Sequence, residues 1–264
     1  MQDIVNKVHA HMPYHLLPKH LEMILQKKLN LEIYFHHWVL DKLDNTKCLE
    51  TAQILADAGL KVTFHAPFMD LRPGALDDKI RQTSVDRIKQ VFDLAPYFQP
   101  LKIVCHASYD ERYYVFGDDL WLENSVKTWT GLIALAEDVN TTIALENVYE
   151  KSPDILRRLF DVLSSPRICF CFDTGHFNAF SHEPLSVWLK VLGKYLGHLH
   201  LHDNFGQRDE HLPVGHGTFP FVDFFRTLQR IKAKPTMTLE AHHPDNLAQS
   251  LENIKSMELL RFLK

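Results

Sequence analysis

Eight short apolar stretches recur along the chain at intervals of roughly 25 to 40 residues, and a longer helix-like segment follows each of them. Parallel strands need helical crossovers, so this alternation predicts a parallel sheet, and eight units predict closure into an α/β (β/α)8 TIM barrel. The predicted strands cover residues 4–9, 31–35, 61–66, 102–107, 141–147, 168–173, 196–203 and 236–241. Amphipathic helices are predicted over 77–95, 121–139, 152–164 and 220–232.

The main alternative to the barrel is an open, doubly wound sheet. Such sheets usually have fewer strands and a glycine-rich first turn, whereas this chain has 10 glycines and no GxGxxG motif. No linker or low-complexity stretch divides the 264 residues, so one domain is predicted over 1–264.

The composition argues against a membrane or a polyanion as the general partner. The net charge is −4, and no apolar run reaches the length of a membrane span. The first ten residues lack the pattern of a signal peptide, and the four cysteines show no CxxC or disulfide-like spacing. We therefore expect a reducing, cytoplasmic location.

The predicted strands end at residues that bind metals. Barrel enzymes place their chemistry at the carboxyl ends of the strands, and imidazole is the commonest protein metal ligand. A single histidine there is usually structural, but eight coinciding strand ends indicate a metal site. The residues are His9, His11, His36, His37, His65, His106, Glu146, Asp173, His176, His200 and Glu240.

Residues two apart on a strand share a face, which indicates what lies beneath these ends. Asp173 shares its face with Cys169 and Cys171, which we interpret as barrel filling rather than as ligands. His200 shares its face with His198 and His202. Asp209 and His211, in the next loop, are expected to fold back over the same mouth.

Six motifs resemble the xylose-isomerase-like barrel superfamily, which includes sugar-phosphate isomerases and epimerases and also endonuclease IV. They are FHAP (64–67), ALEN (144–147), FDTGH (172–176), HLHD (200–203), DEHLPVGHG (209–217) and LEA (239–241). The likeness spans about residues 31–253.

The resemblance implies two ligand sets. The epimerase set is Glu146, Asp173, His200 and Glu240, with both glutamates as acid and base and His176 on substrate oxygen. The endonuclease set adds His65, His106, His176, Asp209 and His211, and it implies three zinc ions bridged by Glu146. Two positions depart from the family: Phe68 stands where the endonuclease commonly has Tyr, and His216 where many isomerase-like relatives have Glu or Arg.

Ligands of this kind suit Zn²⁺ or Mn²⁺, with one to three ions per chain expected. Asp203 or Glu210 is expected to accept the second N–H of a ligand histidine. The predicted substrate-binding residues are His11, His36, Trp38, Phe68, His176 and His202.

Three functions are consistent with this site. The first is a sugar or sugar-phosphate isomerase or epimerase that transfers a proton through a metal-stabilised enediolate. The second is a zinc phosphoester hydrolase of endonuclease IV type, and only this function has nucleic acid as its partner. The third is an inactive barrel that merely binds a ligand. We favour the first because the predicted loops 109–123 and 202–210 are acidic, which repels a phosphodiester backbone.

Overall fold

Parallel strands form the centre of the computed structural model, which describes residues 2–263. They pair in chain order and close into a barrel, with β8 next to β1. The strands are β1 (His9–Pro13), β2 (Asn30–Tyr34), β3 (Val62–His65), β4 (Ile103–His106), β5 (Ile143–Glu146), β6 (Ile168–Asp173), β7 (Leu196–Leu201) and β8 (Thr236–Leu239). The predicted (β/α)8 fold is confirmed.

Helices follow the strands and cover the outside of the barrel. They are α1 (Gln2–Val5), α2 (Leu17–Lys27), α3 (His37–Leu40), α4 (Asn45–Asp57), α5 (Asp78–Phe92), α6 (Ala95–Phe98), α7 (Asp118–Asp138), α8 (Asp154–Leu163), α9 (Thr174–Phe180), α10 (Leu185–Leu192), α11 (Phe221–Arg230) and α12 (Pro244–Ser256). No helix within residues 2–263 is long and apolar enough to cross a membrane.

Helix α11 shows why these segments pack as they do. Its buried residues Phe221, Phe224, Phe225 and Leu228 lie three and four positions apart, so they form one apolar face. Each such side chain contributes about 1.5–3 kcal/mol when it leaves water. This face attaches the helix to the barrel.

The prediction for the first strand was wrong. Residues 4–9 were expected to be extended, but residues 2–5 form the short helix α1, and β1 starts only at His9. Ile4, Val5 and Val8 also have the spacing of a helix turn, and so short an apolar run fits either structure. His9 therefore lies at the start of β1, and His11 lies nearer the mouth.

Candidate metal centre and active-site cavity

The strand register places the predicted ligands side by side at the carboxyl ends of the strands. His106 pairs with Glu146 across β4 and β5, and Asp173 pairs with His200 across β6 and β7. Asp173 also caps α9, because its Oδ1 accepts the backbone N–H of His176 at 2.6 Å. The end of β6 therefore supplies one candidate ligand, Asp173, and positions a second, His176.

The four residues of the epimerase set converge on one point. Glu146, Asp173, His200 and Glu240 each offer a ligand atom, and these atoms all lie within 4.8 Å of one another. His200 Nδ1 is 3.3 Å from Glu146 Oε1, 3.1 Å from Glu240 Oε2 and 3.6 Å from Asp173 Oδ2. Zinc bonds of about 2.0–2.2 Å separate tetrahedral ligands by about 3.4 Å, so the spacing fits a cation.

Unpaired atoms support the same interpretation. Glu146 Oε2, His200 Nδ1 and Glu240 Oε2 are buried and form no hydrogen bond among the described residues. Leaving such groups unpaired is costly in a protein interior. A divalent cation held by this set would satisfy them together.

A second group shares Glu146 with the first. Nε2 of His65 and Nε2 of His106 both lie 3.3 Å from Glu146 Oε2, and the three residues form a separate candidate cluster. His176 Nδ1 approaches the other oxygen, Oε1, at 3.1 Å. Glu146 thus has imidazoles around both oxygens, as a bridging carboxylate would.

The loop after β7 brings the third group over the mouth. Asp209 Oδ2 lies 3.3 Å from His176 Nε2 and 2.9 Å from His211 Nε2. His211 adopts a left-handed backbone, with φ of 50°, where the loop turns back. All nine predicted ligands therefore lie around one mouth.

Backbone carbonyls orient three of the histidines. His65 Nδ1 lies 2.7 Å from the carbonyl of Ala66, and His176 Nδ1 lies 3.0 Å from that of Asn147. His211 Nδ1 lies 3.3 Å from the carbonyl of Glu240. A carbonyl can only accept, so in these bonds Nδ1 must carry the proton, which leaves Nε2 available as a ligand when the ring is neutral.

The prediction that Asp203 or Glu210 performs this task was wrong. Asp203 instead accepts backbone N–H groups, among them those of Gly217 and Phe219, and organises the loop. Glu210 accepts the N–H of Phe205. The sequence spacing placed these carboxylates near the histidines but could not show that local backbone amides occupy them.

The site carries a large negative charge that the histidines offset. Burial would raise the pKa of Glu146, Asp173 and Glu240, but the surrounding imidazoles hold each pKa below its usual value. Burial would likewise lower the pKa of His211, yet the hydrogen bond that its ring donates to Asp209 raises the pKa to about 9. The carboxylates are thus ionised, and protons or bound cations must balance them.

A cavity of about 450 Å³ opens onto this cluster. Its wall includes Glu240, His176 and Phe68, whereas Glu146 lies deeper. The lining residues are His65, Phe68, Met69, Asp70, Leu71, Arg72, His106, Ser108, Tyr109, Asp110, Val148, Tyr149, His176, Asp209, His211, Glu240 and His242.

Of the predicted substrate-binding residues, only Phe68 and His176 lie in the cavity wall. His11 packs against Tyr34, His65 and His242. His202 is buried and contacts Asp173 at 2.9 Å. His36 and Trp38 stack on each other, outside the residues that line the cavity.

Three residues of this region were not among the predicted site residues. Glu32, in the middle of β2, is fully buried and lies 2.9 Å from His200 Nε2. His242 stacks on His211 with ring centres 3.8 Å apart. Arg72 is the one arginine or lysine among the described lining residues. A charged residue inside an apolar strand was the available signal for Glu32.

The chain is similar in sequence to one known protein family and to individual proteins of two organisms. Residues 30–261 match the model of the xylose isomerase-like TIM barrel family. The uncharacterized protein MJ1614 of Methanocaldococcus jannaschii is 30% identical over 76% of this chain and 78% of its own length. A probable endonuclease 4 of Mycobacterium leprae is 26% identical over 63% of this chain and 68% of its own.

Among solved structures, a D-tagatose 3-epimerase-like protein superposes with a TM-score of 0.79 at 23% identity. The match covers 97% of this chain and 98% of that one. At this identity, the superposition shows a common fold.

Proposed function

Because the chain belongs to the xylose isomerase-like TIM barrel family, we propose that it is a divalent-metal-dependent enzyme that epimerises or isomerises a sugar or sugar phosphate. The observation that carries the proposal is the convergence of Glu146, Asp173, His200 and Glu240 beside a small cavity. About 450 Å³ suits a small ligand. The fold is shared with the D-tagatose 3-epimerase-like protein.

The donor set is suited to Zn²⁺ or Mn²⁺, which Glu146, Asp173, His200 and Glu240 would hold. The bound ion would supply a Lewis acid that polarises a substrate carbonyl. Glu240 lines the cavity and is placed to remove or return a proton on the carbon next to that carbonyl. Glu146 is the second acid–base candidate, while His176 in the wall would hold a substrate oxygen.

The charges around the cavity favour a small substrate. Asp70, Asp110, Asp209 and Glu240 line it, against Arg72 alone among the arginines and lysines of the described wall. Such a wall repels the closely spaced phosphates of a nucleic acid. One phosphate group is compatible with it, because Arg72 can pair with a single anion.

The four cysteines are free, which fits the predicted cytoplasmic location.

One observation favours the hydrolase alternative. Glu146 contacts four imidazoles, and together with His65 and His106 it forms a second candidate cluster with donors for an additional ion. Neighbouring metals activate a hydroxide and stabilise a leaving oxygen in phosphoester cleavage. The partial match to a probable endonuclease 4 agrees with this arrangement. The number of bound ions therefore separates the two functions.

The test combines metal content with two activity assays. Protein purified without chelator is measured for metal per chain, then incubated in D₂O with a panel of ketoses and ketose phosphates. Incorporation of deuterium next to the carbonyl, lost in Glu240→Gln, is the expected result. No exchange across the panel, with three ions bound and metal-dependent nicking of an abasic duplex, would establish the hydrolase instead.

A further inference from the structure

His200 has carboxylates on both of its ring nitrogens. Nδ1 faces Glu146, Asp173 and Glu240, and Nε2 lies 2.9 Å from Glu32 Oε1. A neutral imidazole has one proton to place on one of these two nitrogens. Only the form that is protonated at Nε2 leaves the Nδ1 lone pair free for a cation.

Glu32 is held in one orientation beneath the site. Its Oε2 accepts hydrogen bonds from the hydroxyls of Thr63 at 3.1 Å and Thr238 at 2.8 Å. His198 Nε2 lies 3.0 Å from the same oxygen. These partners come from β3, β8 and β7, so three strands fix the carboxylate and leave Oε1 for His200.

The environment keeps Glu32 ionised. The side chain is fully buried, and the hydroxyls of Thr63 and Thr238 both donate hydrogen bonds to Oε2, which favours the carboxylate over the neutral acid. An ionised carboxylate can accept a hydrogen bond but cannot donate one. Glu32 Oε1 and His200 Nε2 are both buried and lie 2.9 Å apart without forming a hydrogen bond, so a proton on Nε2, with a small rotation of the ring, would satisfy both atoms.

We propose that Glu32 is a positioning residue that keeps His200 protonated at Nε2 and presents Nδ1 as a ligand to the divalent cation. The inference rests on the metal site of the proposed function. Glu32 would accept the second ring N–H of His200, as backbone carbonyls accept those of His65, His176 and His211. Unlike a carbonyl, its carboxylate also carries a negative charge. Such partners orient a ligand ring and increase its basicity.

The decisive variant is Glu32→Gln. When the Gln oxygen keeps the hydrogen bonds of Thr63 and Thr238, its amide N–H₂ faces His200 Nε2 and donates to it. This geometry moves the imidazole proton to Nδ1 and blocks the ligand atom. Competition with a chromophoric chelator at pH 8 should show zinc affinity reduced about 10–100-fold.

Two controls separate this effect from packing and charge. Thr63→Val removes one hydrogen bond to Oε2 but leaves Oε1 on His200, so we expect less than about a threefold change. Glu150→Gln removes another buried carboxyl, which accepts the backbone N–H of Val148 and, within residues 2–263, forms no hydrogen bond or ion pair with any of the nine candidate ligands. Its zinc affinity should also stay within about threefold of the original.

A spectroscopic test does not depend on any variant folding. In the zinc-loaded original protein, ¹⁵N NMR of the histidine side chains should show a proton on Nε2 of His200 and a metal bond at Nδ1. A proton on Nδ1, or unchanged zinc affinity in a folded Glu32→Gln protein, would overturn the role of Glu32 alone. Absence of divalent-cation binding by the original protein would contradict the proposed function as well.

Discussion

A methyl group added at Gly175 would strike the ring that supports Asp173. A Cβ at this position would lie 2.0 Å from Cε1 and 2.3 Å from Nδ1 of His202. Ordinary contacts begin near 3.4 Å, so the ring must move by about 1.4 Å or more. His202 is buried and contacts Asp173 Oδ2 at 2.9 Å, so the displacement reaches a candidate metal ligand.

Two measured quantities should change in Gly175→Ala. Overpacking of a buried site costs about 1–3 kcal/mol, which corresponds to a lower melting temperature by about 5 °C for a chain of this size. Zinc affinity should fall about 10–100-fold, because His202 orients Asp173. Calorimetry and chelator competition measure these effects.

Gly131→Ala is the matched control. Gly131 lies in α7, and nothing lies within 4 Å of the Cβ position there. Alanine is the better helix former, so this variant should gain about 0.5–1 kcal/mol and retain its zinc affinity. Gly175→Ala with the original melting temperature and zinc affinity would refute the reasoning from the His202 contact.

Three further predictions concern charge. Burial raises the pKa of Glu150 from 4.5 to about 7, so between these pH values its carboxyl is protonated in the folded protein and ionised in the unfolded chain. The free energy of unfolding should therefore fall as pH rises from about 4.5 to 7. Glu150→Gln should remove this pH dependence and increase the free energy of unfolding at pH 8 by about 3 kcal/mol, as measured by denaturant titration. A variant whose stability depends on pH as the original protein's does would contradict this role of Glu150. Removing the metal with a chelator should lower the melting temperature of metal-loaded protein by about 5 °C or more. The reason is that a ligand at a hundred times its Kd stabilises the folded protein by about 2.7 kcal/mol. Equal melting curves with and without chelator would argue against a cation at the buried carboxylates. Arg72→Ala should raise KM for an accepted sugar phosphate about tenfold and leave KM for the unphosphorylated sugar unchanged, and equal effects on both would exclude a phosphate-specific role.

The strand ends could be predicted from the sequence because two local signals coincide there. Apolar runs such as residues 168–173 identify the strand, and a polar ligand residue such as Asp173 marks where it ends. The first strand lacked this agreement, since Ile4, Val5 and Val8 fit a helix turn equally well. Only the pairing of β1 with β2 and β8 resolves that choice.

The partners of the histidines could not be predicted in the same way. Asp203 is three residues from His200 in sequence, but its oxygens are occupied by the amides of its own loop. Sequence proximity favours such local bonds, because little chain entropy is lost in closing a short loop. A carboxylate that is free to orient a ligand therefore comes from elsewhere in the chain.

Glu32 illustrates this constraint. It is 166 residues from His198, and the two meet because β2 and β7 both direct side chains into the interior of the closed barrel. Side-chain parity shows that both residues point inward, whereas their contact also depends on how the strands are staggered at closure. The interior below the ligands is correspondingly polar at Thr63 and Thr238, which bind Glu32. A buried charge persists in such a layer only where several strands together satisfy it, so the same contacts that fix His200 also make Glu32 tolerable inside the barrel.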